Sequence, residues 1–142
     1  MSLSADLFKP VPYELWREDP SAFADRLGAS FRETGFAVVS GHTLDGATLD
    51  RGLAAAKAFF ALPADVKQRY FVKGGGGQRG YTPFGIEVAK GATARDLKEF
   101  WHVGRDLADD HALAEFMEPN VWPAEVPEFE ATMRELYAAF DA

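Results

Sequence analysis

Residues 35–67, GFAVVSGHTLDGATLDRGLAAAKAFFALPADVK, limit the possible fold more than any other stretch of the chain. They open with Gly35 and a short apolar run, residues 36–40, rich in β-formers and too short for a helix, so this run is expected as a buried strand. A turn through Gly41, His42, Thr43 and Leu44 leads to Asp45, whose carboxylate suits it to accept the first free amides of a helix. Beyond it Leu49, Leu53, Ala56 and Phe60 recur at spacings of four, three and four, one helical stripe that Phe59 widens. Pro63 ends that helix, because it supplies no amide donor and clashes with the preceding turn. The same proline can open a short second helix over residues 64–69, where its missing N–H costs nothing.

Upstream, residues 1–18 read as an extended lead-in anchored by Val11, Tyr13, Leu15 and Trp16. Asp19 then offers a cap, Pro20 a first helical position, and Phe23, Leu27 and Phe31 recur every four residues up to a stop at Gly35. Gly28 in the middle of this helix costs about 1 kcal/mol relative to alanine, so either another element packs closely there or the helix is weakened.

Downstream, residues 70–72 read as a short strand, and Gly74, Gly75, Gly76 and Gly77 make a loop. A phosphate cradle would need Gly-Lys-Ser/Thr after the glycines, so that charge and metal ligand meet the phosphates, and Gln78-Arg79-Gly80 follow instead. A mobile surface loop or an active-site flap is the expectation. Residues 81–88 are extended but interrupted by Pro83 and Gly85, as suits a sheet edge, and residues 89–93 are loop. Residues 96–103 alternate as a strand, with Leu97, Glu99 and Trp101 on one face and Lys98, Phe100 and His102 on the other. Each face carries a large aromatic, so both are expected to be at least partly covered. Residues 104–127 read as irregular around a short helix, 111–117. The last segment, 127–142, is an amphipathic helix that aligns Val126, Phe129, Met133, Leu136, Tyr137 and Phe140. No glycine, asparagine or proline closes it, and its wide apolar stripe asks for a partner surface.

A chain of 142 residues suffices for one domain, and its apolar share of 47%, with twelve Phe, four Tyr and three Trp, supports a packed core. The net charge of −7 argues against non-specific binding to nucleic acid or an anionic membrane, which needs a basic surface. Without cysteine there is neither a disulfide nor a thiolate metal site, which agrees with a cytoplasmic location. The N-terminus lacks the basic start and apolar core of a secretory signal, and no run approaches the roughly 20 apolar residues of a membrane span.

The order G-F-x-V-V-x-x-H, a helix, then F-F-x-L-P-x-x-x-K resembles the N-terminal region of the iron(II)- and 2-oxoglutarate-dependent oxygenases of the isopenicillin N synthase type. Three later pieces agree with it: R-G-Y-T-P-F-G from Arg79, D-L-K-E-F-W from Asp96, and N-V-W-P from Asn120 with an amphipathic helix behind it. The departures are Gly41-His42-Thr43-Leu44 where the family has Asn-His-Gly-Ile or similar, and a first strand that falls on residues 12–15. The resemblance implies an α/β (α+β) N-terminal domain over residues 1–142, with helices packed on a small sheet that the full-length protein continues into a double-stranded β-helix, or jelly roll. It implies a parent enzyme that uses Fe(II), 2-oxoglutarate and O2 to oxidise a small organic substrate, by a pair of histidines and a carboxylate on one face of the iron.

The family's ligand motif, His-x-Asp with a distant second His, lies in the C-terminal half of its members, as does the Arg-x-Ser that holds the oxoacid. His42 is followed by Leu44 at plus two, His102 by Gly104 and His111 by Leu113, so none makes His-x-Asp. His42 falls on a position that belongs to the family's fold, His102 and His111 read as surface or packing residues, and Asp109-Asp110-His111 as a solvated cluster. No catalytic residue and no metal ligand is therefore assigned, the chain alone is expected to bind no cofactor and to be inactive, and its terminal helix is expected to pack on the catalytic domain or on another chain. The Gly-Tyr pair borders the substrate pocket in family members, which makes Arg79 and Tyr81 the candidate substrate contacts, Arg79 by forking onto a carboxylate. The competing reading has Tyr81 in the core and Arg79 solvated. Phe84 and Trp101 either line the same pocket or are plain core. A non-catalytic interaction module of the same fold, docking through the terminal helix, is the alternative function.

Overall fold

Capping chemistry sets the two longest helices in the places the sequence marks. The computed structural model describes residues 8–88, 90–91, 93–108 and 110–141. The chain divides into two units, Met1–Thr43 and Leu44–Ala142. The start of the N-terminal lead-in, parts of the 89–93 loop, the first residue of the Asp109-Asp110-His111 cluster and the last residue of the terminal helix lie outside the described residues.

In the first unit, strand β1 (Val11–Pro12) pairs in parallel with β2 (Val39–Ser40), Val11 opposite Val39. The crossover between them carries α1 (Glu14–Glu18) and α2 (Pro20–Thr34). The Asp19 carboxylate accepts the Ala22 amide at 2.9 Å, Pro20 takes the first turn, and Gly35 closes α2 at φ +78°, a left-handed value that glycine reaches without strain. The expected strand over residues 12–15 is corrected to β1 alone, because Tyr13 already has helical dihedrals and Glu14–Glu18 forms a helical turn. The expected buried strand over residues 36–40 is likewise reduced to Val39–Ser40, with Phe36 68% exposed. A two-residue ladder on one edge covers too little to bury the rest of the run. No residue of α2 is fully buried. A Cβ at Gly28 would meet only the Arg32 side chain, so the glycine is a weak point in α2 and not a close approach.

The second unit is organised on Phe59. Helix α3 (Gly46–Phe60) starts where the Asp45 carboxylate accepts the Thr48 amide, and it packs on α5 (Phe129–Asp141). Its buried face is Thr48, Gly52, Ala55 and Phe59, the expected spacing moved back by one residue, while Leu53 is 58% exposed. Gly52 explains the shift: a Cβ there would lie 2.2 Å from Leu136 Cδ1, so α5 rests on the side of α3 that lacks a side chain. The rings of Phe60, Tyr70, Tyr81, Trp101 and Phe129 surround Phe59 at centroid distances of 4.6 to 6.1 Å. Each such edge-on or tilted pair adds about 0.5–1.5 kcal/mol to the area it buries.

Pro63 caps the short helix α4 (Ala64–Gln68). Strand β3 (Gly80–Thr82) runs antiparallel to β4 (Phe100–His102), with Tyr81 opposite Trp101. Both strands are shorter than the sequence implies, since Pro83 removes a ladder donor and a turn follows at Phe84 and Gly85. Residues 70–72 supply only a single bridge, Phe71 to Gly80. The short helix expected over 111–117 is a 3-10 turn, Ala114–Phe116. The fold is thus mixed helix and small sheet, but the described residues form two separate two-stranded sheets, one in each unit. Among the described residues no helix is long and apolar enough to cross a membrane.

Candidate substrate-facing site

Lys67, in the last turn of α4, places a cation where α3 ends. Its Nζ donates to the Phe60 carbonyl at 3.2 Å, one of the acceptors a helix leaves free at its C-terminus. The same Nζ donates to both Glu99 oxygens, at 2.9 and 2.8 Å, with side chains only 9% and 16% exposed. Tyr81, on β3, donates its phenol to Glu99 Oε2 at 2.6 Å. Burial first, then the hydrogen bond to Glu99 and its charge, push the Tyr81 phenol far above its usual range, so it acts here as a fixed donor. Three residues from α4, β3 and the approach to β4 are thereby locked together through one carboxylate.

Arg79 lies two residues before Tyr81 and is buried, 6% exposed, which excludes the solvated reading. Its Nη1 donates to the Gln78 carbonyl at 2.7 Å, while Nε and Nη2 are buried and find no acceptor among the described residues. The hydroxyl of Thr82 and the indole Nε1 of Trp101 are unpartnered in the same sense. A guanidinium cannot shed its charge, so burying one with two donors unused is costly unless an acceptor arrives from elsewhere.

Beside this cluster a mostly apolar cleft of about 310 Å³ is lined by Ala56, Phe60, Glu99, Trp101, Phe129 and Met133 among others. A larger hollow of about 420 Å³ in the first unit, lined by Lys9, Arg26 and Glu33 among others, has no such convergence of buried polar groups. Of the four candidates, Tyr81 and Trp101 face each other across β3 and β4, and Arg79 immediately precedes β3. Phe84 does not: it sits on the turn beyond β3 and is 57% exposed, so it is neither core nor part of the cluster. Tyr81 is core and hydrogen-bonded at once, so the two readings of it are not exclusive. Lys67 and Glu99 are the members that sequence reasoning does not single out, although a lysine closing F-F-x-L-P-x-x-x-K and a glutamate within D-L-K-E-F-W are both on view as motif letters.

Among the described residues no three His, Asp or Glu side chains converge as a metal site requires. His42, His102 and His111 are exposed. His102 Nδ1 meets the Gly77 carbonyl, and His111 Nδ1 accepts the Leu113 amide. The described residues do not fit a facial set of iron ligands.

Residues 11–125 match the family model described as non-haem dioxygenase in morphine synthesis N-terminal. The 2-oxoglutarate-dependent dioxygenase citB of Monascus ruber is 36% identical over 153 aligned positions, covering 98% of this chain and 46% of that protein. The 2-oxoglutarate-dependent dioxygenase caaD of Aspergillus niger is 35% identical over 113 positions, covering 78% of this chain and 35% of its own. A crystal structure of a 2OG-Fe(II) oxygenase family protein from Caulobacter crescentus superposes with a TM-score of 0.76 at 51% identity, over 94% of this chain and 44% of that one. A full-length Neurospora crassa protein, solved in complex with α-ketoglutarate, is alike in fold, with a TM-score of 0.67 at 22% identity over 93% of this chain and 42% of that one. The chain spans less than half the length of each of these relatives.

Proposed function

This chain belongs to the non-haem dioxygenase N-terminal family, the N-terminal region of the 2-oxoglutarate- and iron(II)-dependent oxygenases, and from that premise we propose that it forms one wall of the substrate pocket of such an enzyme. The complete protein oxidises a small organic substrate with O2 in the cytoplasm, and its metal ligands lie in a jelly-roll half that this chain does not include. Bound there, Fe(II) and 2-oxoglutarate supply the oxidising chemistry. The present residues orient the substrate, and the chain alone holds neither cofactor. The exposed end of α5, with Phe140 73% exposed, packs on that catalytic half.

The observation that carries the reading is Arg79: a buried cation with two donors in want of an acceptor, two residues from a tyrosine held by Glu99, which Lys67 pairs with in turn. A planar fork of this kind matches a carboxylate, so the substrate carries one. Tyr81 and Trp101 shape the adjoining wall, and Phe84 approaches the substrate from the turn beyond β3. The test is oxygen uptake by the complete protein, with Fe(II) and 2-oxoglutarate, across small organic acids and their methyl esters. Acids are expected to stimulate turnover and esters not, with the preference lost in Arg79→Gln. Equal response to acids and esters, or an unchanged preference in the variant, would refute it.

A further inference from the structure

We propose that Asn120 is a positioning residue for the Arg79 guanidinium, acting through the backbone of Gly104. The inference rests on the reading of Arg79 as an anion contact and adds what aims it. The guanidinium lies flat on Gly104: a Cβ at that position would fall 2.0 Å from Arg79 Cζ and 2.2 and 2.3 Å from its two Nη atoms. Gly104 is not among the glycines with positive φ, so its lack of a side chain serves space and not backbone conformation. Any other residue there displaces the cation.

The peptide flanks of Gly104 are in turn fixed by Asn120. Its Oδ1 accepts the Gly104 amide at 2.8 Å and its Nδ2 donates to the Gly104 carbonyl at 2.8 Å. Nδ2 also donates to Asp106 Oδ1 at 2.9 Å, and Asp106 pairs with Arg134 on α5. A side-chain amide that takes both polar groups of one residue holds it against translation and rotation. The plate on which Arg79 rests is thereby fixed relative to α5, and the unused Nε and Nη2 donors keep one direction. Asn120 opens N-V-W-P and Gly104 lies three residues after the end of D-L-K-E-F-W, so two separate motifs meet at the arginine of a third.

The experiment uses the complete protein and the arginine reagent phenylglyoxal, with modification of each arginine read from peptide masses over time. In the unaltered protein Arg79 is expected to react slowly because it is buried. Gly104→Ala pushes the guanidinium off its plate, and Asn120→Asp keeps size and the Oδ1 acceptor but loses the donor to the Gly104 carbonyl. Both are expected to raise the Arg79 labelling rate, roughly tenfold in Asn120→Asp, which loses both hydrogen bonds that Nδ2 donates, while Arg51 and Arg95 react as before. Should Gly104→Ala not fold, Asn120→Asp decides. Arg79 labelling unchanged in Asn120→Asp, or raised only together with every other arginine, overturns the proposal. The two readings fail separately: Arg79→Gln with unchanged preference for acids removes the substrate role, and unchanged labelling removes the positioning role.

Discussion

Removing the ammonium of Lys67 tests whether the Lys67–Glu99–Tyr81 cluster holds the second unit together. In Lys67→Met the stem still packs, but Glu99, 16% exposed, keeps only the Tyr81 phenol as partner, and the Phe60 carbonyl loses its donor. Breaking one side of a buried ion pair costs about 3–5 kcal/mol. Glu99 opens onto the cleft and is partly solvated, so about 3 kcal/mol is expected. The internal control is Arg51–Glu135, 51% and 52% exposed, where solvent screens the pair and Arg51→Met should cost far less than Lys67→Met. Replacing both partners, Lys67→Met with Glu99→Gln, leaves no orphaned charge, and the double variant should lose less than the two single variants added together. Urea unfolding of the complete protein, compared at constant slope, reads all four changes. The reasoning is refuted if Lys67→Met costs no more than Arg51→Met, or if the two single changes simply add.

Phe59→Ala removes the ring on which five others converge, and a loss of about 3–5 kcal/mol in the same urea assay is expected; under about 1 kcal/mol would show that the rings repack. Gly80→Ala combines a left-handed φ of +67° with a Cβ 2.6 Å from the Tyr70 carbonyl, and a loss of about 2–4 kcal/mol is expected from strain and displaced backbone, again by urea. The raised phenol of Tyr81 favours the folded state fully below the usual 10.0, and this contribution declines as pH climbs above that value, where the unfolded phenol ionises and the folded one does not. Burial and the hydrogen bond to Glu125 raise the Tyr70 phenol as well, so near-ultraviolet phenolate absorbance should show a late-ionising fraction that is reduced, and not abolished, in Tyr81→Phe.

The helices that begin at Pro20, Gly46 and Ala64 were legible because their ends are written in single residues: Asp19, Pro20, Gly35, Asp45 and Pro63 each act through local geometry that no distant contact overrides, whereas Glu14–Glu18 has no side-chain cap and reads as extended lead-in. The strands were less so. Residues 36–40 carry the composition of a buried strand, yet burial depends on what lies over them, and Phe36 is exposed. The buried face of α3 shifted by one residue because periodicity scores large side chains, while the contact was decided by the absence of one at Gly52. Arg79 and Tyr81 could be named from motif letters. That Lys67 and Glu99 join Tyr81 could not, since 32 positions separate that ion pair in the chain and only the folded backbone closes the gap.

The placement of the three indoles has a practical consequence. Trp16 belongs to the first unit and is 49% exposed against Phe23, whereas Trp101 and Trp122 belong to the second and stand beside Phe129. Wetter indole emits at longer wavelength than sheltered indole, so among the indoles of this chain Trp16→Phe leaves only those of the aromatic cluster. Each unit thus carries its own intrinsic dye, and loss of order in one can be followed in solution without a label on the other.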